Sequence, residues 1–152
     1  MRSRTAEWFI CKIRYEKMME NGLQRRVTEQ YVVDALSFTE AEARIIEEMS
    51  SYISGQFDVV EIDRCVFKEV FFSEEDMSDK WYKTKLQFIT IDEKTDKEKR
   101  TNVYYLVQGS SLENARKNID EVMGATMIDY VISSVSETKI MDVFEHTSND
   151  SQ

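Results

Sequence analysis

The 152-residue sequence repeats itself, and that repeat limits the folds open to it more than any other feature. Trp81 to Phe88 (WYKTKLQF) lies over Trp8 to Tyr15 (WFICKIRY) at an offset of 73 residues. Tyr105 and Val107 lie over Tyr31 and Val33 at an offset of 74, and Leu112 to Met123 lies over Phe38 to Met49 at the same offset. In that last block Ala41, Ile45, Glu47 and Met49 recur as Ala115, Ile119, Glu121 and Met123. Glu69-Val70-Phe71 lies over Asp142-Val143-Phe144, again at 73. Four blocks in one order and near one offset point to an internal duplication. A period this long, present in two copies, is not a solenoid. Two copies of one unit in a chain stand in for a symmetric dimer about a pseudo-two-fold axis.

Each half reads as ββαβ. Phe9, Cys11, Ile13 and Tyr15 alternate with a mixed set, the mark of a half-buried strand. Glu20-Asn21-Gly22 supplies hairpin-turn chemistry, and Val27, Tyr31, Val33 and Ala35 mark the returning strand. Ser37 and Glu40 have capping-box spacing. Behind them Phe38, Ala41, Ile45, Met49 and Ile53 recur at helical spacing, with Gly55 as the stop. Phe57 to Phe72 is expected to be strand, with a bulge near Asp63 to Cys65 or burial on both faces. The expected fold class is α+β: two ββαβ units sharing one core, a mostly antiparallel sheet and two helices. The expected organisation is an N-terminal tail (1–6), a first repeat (7–72), an acidic connector (73–79), a second repeat (80–146) and a disordered tail (147–152). Together they make one compact domain.

Composition narrows the function. Hydrophobic residues are 41% and charged residues 32%, which places the chain among globular proteins. The net charge of −9 repels phosphate backbones and disfavours nucleic acid as a partner. Proline is absent, which suits long strands. The two cysteines, Cys11 and Cys65, lack metal-ligand or CxxC spacing. No apolar run approaches the roughly 18 residues of a membrane span. No secretory signal is visible behind Met1, so the expected compartment is the cytoplasm, with reduced thiols.

The runs CKIRYEKMMENGLQ (Cys11 to Gln24), VDALSFTEAEARIIEEM (Val33 to Met49), KWYKTKL (Lys80 to Leu86) and DYVISSVSETKIMDVF (Asp129 to Phe144) resemble a family of small cytoplasmic proteins of gut bacteria and their phages. That family carries an unknown-function label. The resemblance covers about Glu7 to Phe144 and brings no catalytic residues with it. It implies a part in phage–host conflict or phage accessory biology.

Candidate chemistry is sparse. The single histidine, His146, stands beside a polar tail. Glu74, Glu75, Asp76 and Asp79 lack the spacing of a calcium loop, and no Gly-rich phosphate loop is present. Neither a cofactor nor a metal is expected. Cys11 has Thr84 as its counterpart, which reads as a small buried position.

The matched polar residues carry more. Trp8 and Lys12 share one strand face, as do Trp81 and Lys85, and Arg26 is matched by Arg100. An aromatic and cations together would suit a planar anion such as a nucleotide. The plainer reading is a lysine stem lying over a tryptophan on an exposed sheet. The expected function is a non-enzymatic binding module whose partner is a protein or a second copy of the chain. The alternative is a binder of a small nucleotide-like anion through Trp8, Lys12, Arg26, Trp81, Lys85 and Arg100.

Overall fold

Alternating apolar residues draw out two long hairpins. In the computed structural model, which describes residues 1–146, β2 (Trp8–Met18) pairs with β3 (Gln24–Asp34) from Trp8↔Asp34 to Met18↔Gln24. Their turn closes with the Gly22 N–H donating to the Met19 carbonyl at 2.9 Å. Gly22 has φ +83°, a conformation that glycine adopts without a Cβ clash. β6 (Lys80–Ile91) pairs with β7 (Glu98–Gly109) in the same way, from Lys80↔Gly109 to Ile91↔Glu98. The expected tail, residues 147–152, lies outside the described residues.

Each hairpin leads into a capped helix. At α1 (Phe38–Ser50) the Ser37 hydroxyl accepts from the Glu40 N–H at 3.1 Å, and the Glu40 carboxylate accepts from the Leu36 N–H at 3.0 Å. At α2 (Leu112–Gly124) Ser111 accepts from Asn114 N–H at 3.0 Å and Asn114 Oδ1 from Ser110 N–H at 2.9 Å. Both are capping boxes that reach one residue behind the cap. Of the expected apolar stripe of α1, Ala41, Ile45 and Met49 are buried, Ile53 is half-buried and Phe38 is exposed; in α2 Ala115, Ile119 and Met123 are buried.

The expected strand from Phe57 to Phe72 is two strands, β4 (Phe57–Arg64) and β5 (Glu69–Phe72). Its counterpart is also two, β8 (Asp129–Glu137) and β9 (Ile140–Phe144). The bulge falls at Val60, earlier than expected: Lys12 faces Glu61 while Ile13 faces Val59. It recurs at Ser133, since Lys85 faces Ser134 while Leu86 faces Ile132. The first residues, expected as a tail, form β1 (Arg2–Thr5), antiparallel to β5.

The strands make two sheets, ordered β4-β2-β3-β9 and β1-β5-β7-β6-β8. Both are mixed, because β9 runs parallel to β3 and β5 parallel to β7. The chain divides accordingly into two compact units. The α1 unit is Ala6–Cys65 with the segment from Lys139 onward; the α2 unit is Met1–Thr5 with Val66–Thr138. The last strand of each half therefore completes the sheet built by the other half.

The buried side chains form two clusters, which corrects the expectation of one shared core. In the α1 unit Phe9, Cys11, Ile13, Val33, Ala41, Ile45, Met49 and Phe144 pack together. In the α2 unit Phe71, Tyr82, Leu86, Val107, Ala115, Ile119 and Met123 do so. The physical reason lies in the helices. Each stripe covers the hairpin that precedes it, and the exchanged strand supplies the closing phenylalanine.

A buried polar tie fastens each helix to its hairpin. In the α1 unit the Arg44 guanidinium donates to the Asp34 carbonyl and pairs with its carboxylate, and the His146 N–H donates to Asp34 Oδ1 at 2.7 Å. In the α2 unit the amide of Asn118 donates to the Gln108 carbonyl at 3.1 Å, and the Ser73 N–H to Gln108 Oε1 at 2.9 Å. The positions correspond one to one, with a charged pair in one unit and a neutral pair in the other.

Candidate functional site

The six residues singled out in the sequence lie along the two hairpins rather than in one concavity. Trp8 and Trp81 are each 2% exposed. Lys12 is half-buried, and its ammonium lies 2.7 Å from Glu61 on the neighbouring strand. That hydrogen bond, with the charge of Glu61, raises the Lys12 pKa. Arg26 is exposed and faces Glu16 across the ladder. It is thus four residues further along β2 than Lys12, as Lys12 is from Trp8, about 13 Å at each step. Lys85 faces Tyr104 and Ser134. Arg100 contacts Glu98 at 3.2 Å and Gln87 at 3.3 Å.

Among the described residues, no group of three or more His, Cys, Asp or Glu side chains is placed to hold a metal ion. Cys11 and Cys65 are free thiols, and burial pushes both up to about 12. No described helix is long and apolar enough to cross a membrane.

A different concavity carries more chemistry. In the α1 unit a cleft of about 270 Å³ opens where the β2–β3 hairpin meets the end of α1 and the exchanged strand β9. Tyr31, Phe144 and Tyr52 stack in series: the Tyr31 and Phe144 centroids are 5.6 Å apart and those of Phe144 and Tyr52 6.0 Å. Tyr15 closes another wall.

Glu29 is the polar centre of this cleft. Its side chain is 10% exposed. Its Oε1 accepts the Tyr15 hydroxyl at 2.8 Å and the Tyr31 hydroxyl at 3.0 Å, while Lys17 Nζ stands 3.4 Å from Oε2. Burial and the Glu29 contact push Tyr15 up to about 12 and raise Tyr31 further. Asp142 faces Tyr31 across the parallel ladder, and its surroundings raise its carboxyl above the ordinary range.

The same place in the α2 unit is built differently. Ladder positions equate Glu29 with Val103, since Ile13 faces Glu29 and Leu86 faces Val103. They equate Tyr15 with Phe88, Tyr31 with Tyr105 and Asp142 with Glu69. The residue after each helix C-cap is Tyr52 in one unit and Thr126 in the other. The aromatic frame is kept, because Phe71 lies 4.9 Å from Tyr105. The buried acid and the outer tyrosine are not.

Sequence reasoning missed Glu29, although a signal was there: it interrupts the apolar parity of β3, between Val27 and Tyr31, where the matching place in β7 holds Val103. Phe144 and Asp142 gave no such signal, because they reach the cleft from the second half of the chain.

A family model described as a domain of unknown function, DUF4494, matches residues 7–146. The chain belongs to this family. The DUF4494 match covers the stretch over which the sequence resemblance runs, and the family label assigns no activity to the cleft. A search of curated proteins finds no match.

Proposed function

We propose that this DUF4494 protein is a non-enzymatic binding module whose partner is another protein, and that the aromatic cleft of the α1 unit is part of the contact surface. The observation that carries this reading is the lining of the cleft. Tyrosine and methionine are enriched at protein interfaces, and here Tyr15, Tyr52 and Met141 stand together over the buried Tyr31 and Met49. Tyr52 is 68% and Met141 49% exposed, so the rim is open to a partner. A nucleophile works best with a pKa near the working pH, and burial pushes the Cys11 and Cys65 thiols the other way, to about 12.

The matched ladders, bulges, caps and polar ties support the reading that the two halves arose by duplication, with one copy specialised at the cleft. A cytoplasmic location fits the two free thiols. A phage-related role rests on the sequence resemblance. A second reading, a small nucleotide-like anion, draws on one observation. Arg14, Arg26, Gln24 and Gln56 border an open groove of about 610 Å³ in the α1 unit, although Glu16 and Asp58 share it.

The deciding experiment compares wild type with Tyr52→Ala/Met141→Ala by light scattering and by capture of host proteins. A self-association or a captured protein that is lost in the double variant supports the contact surface. Identical behaviour of the two proteins removes the cleft from it. A nucleotide-induced thermal shift abolished by Arg26→Ala would favour the second reading.

A further inference from the structure

We propose that the cleft around Glu29 receives a guanidinium group, the side chain of an arginine on the partner; this rests on the protein-binding reading above. Placing a carboxylate in a nearly enclosed position is unfavourable unless something compensates it. The α2 unit fills the same ladder position with Val103, which is 8% exposed. The fold itself therefore does not require an acid there; inside the chain Glu29 serves the Tyr15 and Tyr31 hydroxyls through Oε1 alone, which leaves Oε2 for another donor.

The hydrogen bonds of Glu29 leave a defined vacancy for a donor. Both tyrosine hydroxyls converge on Oε1, at 2.8 and 3.0 Å. Oε2 meets Lys17 at 3.4 Å, the long end of the range, and the Lys17 side chain is 47% exposed. A lysine held so loosely swings aside at little cost. Asp142 adds a second carboxylate to the rim, one whose surroundings already disfavour its charge. A cation entering the cleft would meet both carboxylates.

The rings select the kind of cation. Aromatic rings attract positive charge, and Tyr31, Phe144 and Tyr52 line the cleft together with the two acids. A guanidinium is planar, so it lies against a ring and at the same time donates a two-pronged edge to a carboxylate; an ammonium makes either contact only as a compact point charge, without the flat fit or the fork. Two carboxylates against one lysine also turn a phosphate away. The size agrees. Sites for whole small-molecule ligands run from about 300 Å³ upward, and this cleft, at about 270 Å³, suits one side chain. The α2 unit, with Val103, Phe88 and Thr126 in the matching places, should have no such site. One guanidinium per chain is the expected stoichiometry.

The test uses the full-length protein and three capped pentapeptides that differ only at the central residue: arginine, citrulline or lysine. Titration calorimetry reads the binding, and two-dimensional amide NMR reads which unit responds. Arginine peptide is expected to bind once per chain, shifting amides around Tyr31, Tyr52 and Asp142. Citrulline, the neutral isostere, is expected to bind at least about tenfold more weakly, a change of about 1.4 kcal/mol. The key variant is Glu29→Val, which copies Val103; it is made together with Tyr15→Phe, which copies Phe88, so that the Tyr15 hydroxyl is not left without its acceptor. It is expected to lose arginine binding while retaining its folded spectrum, and Tyr52→Ala, at an exposed ring, is expected to weaken binding.

Absence of saturable arginine binding by wild type overturns the proposal. So does undiminished binding by Glu29→Val, or lysine binding as tight as arginine. If a protein partner is captured through Tyr52 and Met141 but Glu29→Val still captures it, the binding reading stands and the guanidinium site falls. If arginine binds through Glu29 and no protein partner is found, the site stands and the protein-binding reading falls.

Discussion

The buried tie between Asp34 and Arg44 can be tested by exchanging it for its neutral counterpart. Their side chains are 5% and 11% exposed. Removing one partner of a buried ion pair leaves a charge unsatisfied and costs about 3–5 kcal/mol. Arg44→Asn alone is therefore expected to lose about that much. The α2 unit holds the same joint with Gln108 and Asn118, whose contact is a neutral 3.1 Å hydrogen bond. Asp34→Gln/Arg44→Asn installs that pair in the α1 unit. With no charge left to strand, the double variant is expected within about 1–2 kcal/mol of wild type, since a neutral hydrogen bond contributes about 1 kcal/mol. Adding Asp34→Gln to Arg44→Asn is then expected to recover roughly 1–4 kcal/mol, the difference between the two estimates. Urea unfolding followed by circular dichroism measures all three species. At about 2–4 °C per kcal/mol, the single variant should melt on the order of 10 °C lower. A double variant as unstable as Arg44→Asn would refute the reasoning, because it would mean that the charged pair holds a geometry that the neutral pair cannot.

Three further outcomes are expected. Thr84 is fully buried, and its hydroxyl has no hydrogen-bond partner among the described residues; Thr84→Val should raise stability by about 1 kcal/mol, seen as a higher urea midpoint. Cys11 and Cys65, with thiols near 12, should resist iodoacetamide at pH 8 until urea unfolds the chain, whereas fast native labelling of either would contradict their burial. Tyr15 is raised from 10.0 to about 12, so it favours the fold below about pH 10, and that contribution is lost as pH rises through about 12. Tyr15→Phe should flatten this part of the alkaline stability curve.

Local signals gave away the local elements. Ser37 and Ser111 cap the helices, Asn21-Gly22 turns the first hairpin, and the alternation from Phe9 to Tyr15 marks the face that α1 covers. The exchange of β5 and β9 was hidden for a physical reason. Glu69-Val70-Phe71 and Asp142-Val143-Phe144 are nearly the same strand, and each meets nearly the same partner, β3 or β7. Nothing in either strand's pattern says which of the two sheets it completes. The chain passes from one unit to the other in the short segments after Arg64 and Glu137, which carry no recognisable signal of their own. The same concealment split the cleft. Glu29, Tyr15 and Tyr31 signal their place by parity, but the ring and acid of β9 are recognisable only once the exchange is known. The tryptophans misled in the other direction: they occupy matching places at the start of β2 and β6, and both are buried.

The crossing strands also set a timetable for the nascent chain. The hairpin, helix and edge strand of the α1 unit have all been synthesised by Cys65, yet its sheet ends at β3 until Phe144 has been added. At about 5–20 residues per second, the 79 residues between them (144 − 65) take roughly 4–16 s. Isolated hairpins form in about 1–10 μs. For nearly all of that interval, β3 presents an unpaired parallel edge to whatever else is emerging from neighbouring ribosomes.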